Sequence, residues 1–198
     1  MVLIKVWLRL FMISFIKLEN LPNMLSFFRF LAGIAILVLY YFEFVSNNHT
    51  DIVVFVIFII AALTDWFDGL IARNYELLSN FGAFIDPVAD KVLIVCSLIC
   101  LIYLDRVDLL LGSIIILREF FVSSLREWFA NNKKILSVSV FGKVKTLCQM
   151  ISIPMFFIQE IINKDFFYLL ADILLYIAVI LTIYSMIVYS LQIRKNLK

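Results

Sequence analysis

Apolar stretches of about 20 residues recur along this chain, and they restrict its fold more than any other feature. A helix rises about 1.5 Å per residue, so about 20 apolar residues are needed to cross the ~30 Å hydrocarbon core of a membrane. Hydrophobic residues make up 64% of the 198 residues and charged residues 16%. A soluble domain of this size could not bury so much apolar surface. The sequence therefore predicts an all-α, polytopic membrane protein.

Six stretches are long enough to be membrane-spanning helices. They lie near residues 24–45, 52–73, 84–104, 107–129, 144–162 and 167–191. The last contains Ile173 to Ile193, in which no residue is charged, whereas the other five carry charges toward one end. Charges inside a membrane are costly unless they face a protein interior or a wet cavity. The six predicted transmembrane helices are therefore expected to enclose a polar interior rather than to serve as a simple anchor.

The distribution of basic residues predicts the orientation of these spans. If the six spans alternate in direction, 14 of the 17 Lys and Arg residues fall on one side of the membrane. The opposite links hold only Arg106 and Lys164, and Lys91 lies within the third span. Because cytoplasmic segments are enriched in Lys and Arg, both termini are predicted to be cytoplasmic, in the cytoplasmic membrane of the cell.

The N-terminal segment differs from the rest of the chain. In residues 1–23, Lys5, Arg9 and Lys17 interrupt an apolar sequence, which predicts an interfacial amphipathic helix on the inner membrane surface. Residues 24–198 are predicted to form a single six-helix domain, since neither an internal repeat nor a linker divides them.

Several classes of function are excluded by composition. A single histidine, His49, argues against zinc chemistry based on His ligands and against a Ser-His-Asp triad. Three cysteines cannot form a disulfide framework. A net charge of +2 is too small to indicate nucleic acid as a partner.

Four aspartates in spans two and three are the strongest candidates for catalysis. Asp65 and Asp68 are three residues apart, and Asp86 and Asp90 are four apart, so each pair shares one helix face. Asp65 and Asp90 each lie about 20 Å from the outer end of their span at ~1.5 Å per residue. An antiparallel hairpin of spans two and three would bring all four carboxylates together in the cytoplasmic third of the membrane.

Four carboxylates in a site of low dielectric need a counter-charge. Mutual repulsion would otherwise raise their pKa values until they became protonated. Mg²⁺ and Mn²⁺ prefer carboxylate oxygen, and two such ions ~3.5–4 Å apart suit phosphoryl transfer. The sequence therefore predicts a site for a divalent metal, with two ions of Mg²⁺ or Mn²⁺.

Small residues beside the acids would leave room for a ligand. Gly69 and Ala72 allow close approach to span two, and Gly82 does the same on span three. Arg73 offers a planar set of donors to a phosphate.

Pro87 lacks an N–H, so we expect it in the first turn of its helix.

A second group of residues is basic. Arg118 lies deep in span four, which favours a role in binding an anionic substrate over a role in orientation. Arg126, Lys143 and Lys145 lie nearer the inner surface, where positive-inside bias or contact with anionic lipid explains them as well as substrate does. Glu119, which follows Arg118 directly, is expected to be a local charge partner.

The acidic motif resembles the signature of the CDP-alcohol phosphatidyltransferase family. It matches that signature at every fixed position, in the form Asp65-x2-Asp68-Gly69-x2-Ala72-Arg73-x8-Gly82-x3-Asp86-x3-Asp90. Further stretches are similar to the branch of the family whose acceptor is glycerol 3-phosphate: 20–29, 86–91, 118–119, 125–128 and 142–146. The resemblance covers about residues 20–192.

This resemblance implies six transmembrane helices, a homodimer and transfer of a phosphatidyl group from CDP-diacylglycerol to an alcohol, with release of CMP. The acceptor would be sn-glycerol 3-phosphate, its phosphate held by Arg118, Arg126, Lys143 and Lys145. Asp65, Asp68 and Asp86 would be metal ligands, and Asp90 would complete the site and act as general base. The CDP-diacylglycerol pocket would be lined by Asp65, Asp68, Gly69, Ala72, Arg73 and Gly82.

Two alternatives remain open at this stage. A small cation transporter could use four aspartates as an ion path, although it would not need the small residues and Arg73 beside them. Within the family, the acceptor could instead be inositol phosphate, serine or phosphatidylglycerol.

Overall fold

The computed structural model describes residues 21–42, 48–75, 80–131, 140–162 and 165–196. For residues 21–22, 48, 65–75, 80–84, 130–131, 140–141, 143 and 192–196, only the helical backbone is described. The described part consists of turns and six helices, without a strand: α1 (Leu21–Tyr41), α2 (Asn48–Tyr75), α3 (Asn80–Tyr103), α4 (Leu109–Asn131), α5 (Val140–Ile162) and α6 (Asp165–Asn196). The all-α prediction is confirmed for these residues, whereas residues 1–20 of the predicted interfacial helix lie outside them.

Each helix covers one of the six apolar stretches. The links hold two to eight residues, and such short links join neighbouring helices that run in opposite directions. Helices α1, α3 and α5 therefore run one way, and α2, α4 and α6 the other. Two segments, Asn23–Tyr41 and Asp165–Leu191, are long and apolar enough to cross a membrane by length and composition.

Helix α3 begins earlier than the position of its proline predicts. It starts at Asn80, so Pro87 lies inside the helix, and the expectation that Pro87 occupies the first turn is wrong. Pro87 has no N–H to donate to the carbonyl of Ala83 one turn earlier, which weakens the helix at that point. Although this one backbone hydrogen bond is missing, α3 packs extensively against α1.

Helix α1 is the shared neighbour of the two helices that carry the aspartates. In the described residues, α2 and α3 both have their most extensive packing with α1. α1 thus contacts both helices that carry the acidic motif, and the α2–α3 hairpin stays a prediction because its facing side chains, 65–75 and 80–84, lie outside the described residues. On the other side of the bundle α5 packs on α6 and α2, and α4 packs on α6 and α3.

Gly33 permits the close approach of α1 to α3. A Cβ atom built on Gly33 would lie 3.0 Å from the Cα atom of Leu93 and 3.0 Å from its backbone nitrogen. Side chains rarely tolerate such short contacts with backbone atoms, which do not move out of the way as a flexible side chain can. The glycine therefore brings the two helix backbones together and restricts how one can slide along the other.

Polar side chains are buried between the helices, and apolar ones cover the outside. Along α6, Thr182 and Ser185 are fully buried, whereas Ile180 and Ile187 are 65% and 53% exposed. Other buried polar side chains are Ser97, Gln149, Ser152 and Gln159. A contiguous exposed apolar surface of this kind is unusual for a soluble monomer and suits contact with lipid.

At the end of the bundle where α1, α3 and α5 finish, Arg106 joins three helices. Its Nη2 atom lies 2.7 Å from Oδ2 of Asp51 and 3.1 Å from Oε1 of Glu160, and the hydroxyl of Tyr40 donates to Oδ1 of Asp51 at 2.6 Å. Burial lowers the pKa of the Arg106 guanidinium, but the hydrogen bond and ion pair with Asp51 more than offset this, so that its pKa lies above its usual value. We call Tyr40, Asp51, Arg106 and Glu160 the Arg106 cluster.

The turn after α3 directs Arg106 back toward the bundle. Asp105 has a φ of 55°, and the N–H groups of Arg106 and Asp105 donate to the carbonyls of Leu101 and Ile102 at 2.9 and 3.1 Å. This pair of hydrogen bonds is the Schellman motif, which ends a helix with one residue in the left-handed region. An aspartate tolerates that conformation better than most residues, although glycine is preferred there.

Candidate active site

The two aspartates of α3 are both paired with side chains of α1. The Ser26 hydroxyl donates to Oδ1 of Asp86, and Nη1 of Arg29 forms an ion pair with Oδ1 of Asp90. The Arg29 side chain is 1% exposed, whereas that of Asp90 is 43% exposed. The guanidinium is therefore enclosed by protein, while the carboxylate reaches accessible space.

The sequence spacing on the two helices explains these pairs. Ser26 and Arg29 are three residues apart on α1, and Asp86 and Asp90 are four apart on α3, so that each pair lies on one helix face. Because α1 and α3 run in the same direction, Ser26 meets Asp86 and Arg29, one turn later, meets Asp90. Gly33 lies one turn beyond Arg29 and holds the helices close at this level.

The remaining members of the acidic motif are described only as backbone. They are helical in α2 and at the start of α3, but their side chains lie outside the described residues: Asp65, Asp68, Gly69, Ala72, Arg73 and Gly82. The structure thus brings Asp86 and Asp90 together, and the ring of four acids stays a prediction. Within the described side chains, no group of three or more His, Cys, Asp or Glu residues could hold a metal ion.

A second cluster joins the basic residues of α4 and α5. Lys145 forms an ion pair with Oε1 of Glu119, and Nη1 of Arg118 lies 3.4 Å from the same oxygen. Nη2 of Arg118 donates to the hydroxyl of Ser185 on α6 at 3.0 Å. The prediction that Glu119 is a charge partner is confirmed, although it serves Lys145 as well as Arg118. These four residues link three helices.

Arg126 extends this cluster toward the surface. Its Nη2 atom lies 3.2 Å from the hydroxyl of Tyr189, and its guanidinium carbon lies 5.8 Å from the centre of the Tyr189 ring. The hydrogen bond and the cation–π contact hold an otherwise exposed side chain in place. The side chain of Lys143 lies outside the described residues.

The burial of the two inner cations favours an anionic ligand. Arg118 is 5% exposed and Lys145 1% exposed, so neither is a lipid-facing or freely solvated charge. The two cations have one carboxylate, Glu119, between them. Among the described residues, Nε of Arg118 has no hydrogen-bond acceptor. Buried donors without acceptors are costly, and an incoming phosphate would satisfy this one.

Sequence reasoning missed two residues that contact the acids, Ser26 and Arg29. Arg29 was counted among the residues that set orientation, as a basic residue near the inner end of the first span. The sequence did contain a signal for this contact. Ser26 and Arg29 lie one turn apart inside an apolar stretch, so together they form a polar stripe on one helix face. That stripe could not be assigned to Asp86 and Asp90 without knowing that α1 packs against α3.

Comparison with known proteins gives a consistent result. Residues 19–184 match the model of the CDP-alcohol phosphatidyltransferase family. A protein of Rickettsia felis is 38% identical over 169 residues, covering 83% of this chain and 90% of the relative. Proteins of Wigglesworthia glossinidia brevipalpis and Yersinia pestis (strain Pestoides F) are 39% and 40% identical, each covering 86% of this chain and 92% of the relative. All three are named CDP-diacylglycerol–glycerol-3-phosphate 3-phosphatidyltransferase.

Proposed function

The chain belongs to the CDP-alcohol phosphatidyltransferase family, and on that basis we propose that it transfers the phosphatidyl group of CDP-diacylglycerol to sn-glycerol 3-phosphate. The products are phosphatidylglycerophosphate and CMP, and the reaction belongs to phospholipid biosynthesis. The names of relatives with 38–40% identity over most of the chain support this acceptor.

The buried cationic cluster is the observation that supports a phosphorylated acceptor, a class that also includes inositol phosphate, and the names of the relatives favour glycerol 3-phosphate within it. Arg118 is enclosed near the middle of α4 and Lys145 near the start of α5, and Arg126 lies two turns beyond Arg118. An acceptor that carries a phosphate monoester gives these cations a partner, with Lys143 as a further candidate. Serine offers no phosphate to such a cluster, and the phosphate of phosphatidylglycerol is a diester.

The metal site is proposed at Asp65, Asp68, Asp86 and Asp90. Asp86 and Asp90 offer carboxylate oxygens from one face of α3, which suits Mg²⁺ or Mn²⁺. Members of this family generally depend on a divalent metal, and we propose two ions here. Bound cations would neutralise charge on the diphosphate of CDP-diacylglycerol. Gly69, Ala72, Arg73 and Gly82 would line the pocket for that diphosphate and its cytidine.

Asp90 is the proposed general base. Its carboxylate accepts the proton of the acceptor hydroxyl as the hydroxyl oxygen forms a bond to the β-phosphorus of CDP-diacylglycerol. The bond from that phosphorus to the bridging oxygen breaks, and CMP leaves with the electron pair. The exposure of Asp90 supports this role, because a base must reach the substrate. A general base typically contributes 10²–10⁴-fold to the rate.

We place the protein in the cytoplasmic membrane with six spans, both termini and the active site facing the cytoplasm. The apolar exterior of the helices and the excess of basic residues on one side support this orientation. Residues 1–23 would lie on the inner surface and residues 24–198 would form the catalytic domain. The family resemblance further implies a homodimer.

A cation transporter is not favoured by the same features. An ion path must open toward both sides of the membrane, but the far end of the bundle is joined by the Arg106 cluster.

The proposal is tested by measuring CMP release from CDP-diacylglycerol by the purified protein with Mg²⁺ or Mn²⁺. Glycerol 3-phosphate, inositol phosphate, serine and phosphatidylglycerol would be supplied separately, and each lipid product would be identified by mass. We expect phosphatidylglycerophosphate from glycerol 3-phosphate. Release of CMP only with another acceptor would reassign the substrate, and no release with any of them would contradict the enzyme itself.

A further inference from the structure

Arg29 contacts the proposed base directly, although no step of the proposed reaction uses its side chain. Its side chain is 1% exposed and its Nη1 atom is paired with Oδ1 of Asp90. On the outer side of α1, Phe28 and Leu31 are 44% and 47% exposed, so the guanidinium lies on the face of the helix that is turned toward α3. The cation therefore approaches Asp90 from within the protein, not from the accessible side.

The position of Arg29 relative to Asp90 is fixed by backbone packing. One turn further along α1, a Cβ atom on Gly33 would lie 3.0 Å from the backbone of Leu93, so the two helix backbones are close together at this level. The neighbouring bond from Ser26 to Asp86 adds a second connection on the same face. The Asp90 carboxylate could otherwise rotate about its side-chain bonds. Its contact with the rigid, planar guanidinium of Arg29 restricts that rotation.

We infer that Arg29 is a positioning residue, which holds the Asp90 carboxylate in the orientation that faces the acceptor hydroxyl. This inference rests on the proposed function, in which Asp90 is the base. A misplacement of about 1 Å in a reacting group can cost about 10²-fold in rate. Loss of Arg29 should therefore act on turnover more than on substrate binding.

Two other roles predict different behaviour. If Arg29 binds the diphosphate of CDP-diacylglycerol, its loss weakens the affinity for that lipid. If Arg29 only stabilises the helix bundle, its loss lowers the unfolding midpoint and affects turnover no more than the loss of another buried arginine does. Arg106 provides a matched control, because it forms a buried ion pair with Asp51 at the opposite end of the bundle.

The first measurement needs neither metal nor turnover. The thermal unfolding midpoint of the full chain in detergent is compared among the wild type, R29Q, D90N and the double variant R29Q/D90N, without divalent metal. R29Q should lower the midpoint by about 5 °C in the wild-type background and by less than half of that in the D90N background. An equal decrease in both backgrounds would overturn the inference, since it would mean that the two side chains do not act together.

The second measurement is kinetic, with R29K and R106Q beside R29Q. R29Q should lower kcat by about 10²-fold, with KM for glycerol 3-phosphate and the Kd for CDP-diacylglycerol within about threefold of the wild type. R29K should recover part of the loss, because its ammonium keeps the charge without the planar geometry. R106Q should lower the unfolding midpoint while its kcat stays within about threefold. If R29Q does not fold, R29K carries the kinetic test, with an expected loss of about tenfold.

The outcomes separate this inference from the proposed function. An inactive wild type would contradict the proposed function and the inference with it, whereas full turnover by D90N would remove Asp90 from the role of base and overturn the inference alone. An active wild type, an inactive D90N and a normal kcat in R29Q would overturn the positioning role alone. A loss of lipid affinity in R29Q, or an equal loss of kcat in R106Q, would also overturn it.

Discussion

Nη2 of Arg106 lies 2.7 Å from Oδ2 of Asp51, which connects the link after α3 to the start of α2. Both side chains are less than a tenth exposed. The pair lies at the opposite end of α3 from Asp86 and Asp90, so the bundle has a buried ionic contact remote from its candidate active site.

Asp51→Asn should destabilise the protein and leave its chemistry intact. Loss of the Asp51 charge leaves the buried Arg106 guanidinium with only the exposed carboxylate of Glu160, which should cost up to about 3 kcal/mol. Thermal unfolding in detergent should show the loss, with Asp165→Asn, an exposed acid at the start of α6, as the control. An unchanged midpoint would show that Glu160 alone satisfies Arg106.

Asp90→Asn should reduce turnover by at least 10²-fold, because the amide cannot accept the proton of the acceptor. Binding of CDP-diacylglycerol should remain largely intact, as measured by calorimetry in detergent. Asp105→Asn is a suitable control, since Asp105 is exposed in the turn after α3 and asparagine tolerates its left-handed conformation. Retained turnover in Asp90→Asn would remove Asp90 from the role of base.

Asp65→Asn should weaken metal binding, because it replaces a charged oxygen ligand by a neutral amide. The Mn²⁺ concentration that gives half-maximal CMP release should rise by about tenfold or more, by analogy with the usual cost of altering a metal ligand's environment. A metal dependence identical to that of the wild type would argue against ligation by Asp65.

Glu119→Gln should impair the use of glycerol 3-phosphate specifically. Glu119 contacts both Arg118 and Lys145, so its loss leaves the two cations repelling each other and free to move apart. We expect KM for glycerol 3-phosphate to rise by about tenfold, which corresponds to about 1.4 kcal/mol, while the affinity for CDP-diacylglycerol stays unchanged.

The control for this variant is Glu127→Gln. Glu127 also follows an arginine directly, but its side chain is exposed. Equal effects of the two substitutions on KM would mean that general charge near the membrane surface, not the buried cluster, governs acceptor binding.

Gly33→Val should separate α1 from α3. Its side chain would meet the backbone of Leu93, where even a Cβ atom lies only 3.0 Å away. Overpacking of this kind typically costs about 1–3 kcal/mol, and here it should also lower turnover because Arg29 moves away from Asp90. Gly142→Val, at a glycine near the start of α5, is the control. A fully active and stable Gly33→Val would show that the helices can separate without consequence.

The helices were predictable from sequence because the length of an apolar stretch decides whether it can form a spanning helix. Their packing was not, because most of the residues that these helices bury against one another are as apolar as those on their outer faces. The sequence spacing of Asp86 and Asp90 therefore identified their shared helix face correctly. Their contact with α1 was not predicted, since spacing along one helix does not show which other helix packs against that face.

The pairing of Arg29 with Asp90 shows the same limit at the level of one contact. The two residues lie 61 positions apart, and their meeting depends on the Gly33 contact between two backbones. The burial of Arg118, by contrast, could be predicted from the sequence. Arg118 lies in the middle of an apolar stretch, where a charge is costly unless it faces a protein interior, and its 5% exposure agrees with that expectation, whereas its role in binding an anionic substrate stays a prediction.

The single carboxylate of Glu119 has a consequence for which alcohols can be used. Among the described residues, Arg118, Lys145 and Arg126 carry three positive charges and Glu119 one negative charge, which leaves an imbalance of two. A phosphate monoester carries nearly two negative charges at neutral pH, so in the proposed acceptor site it would offset that imbalance. Free glycerol would leave the imbalance in place. A site of this kind would select alcohols by their charge, and the carbon skeleton would have to be recognised by other side chains.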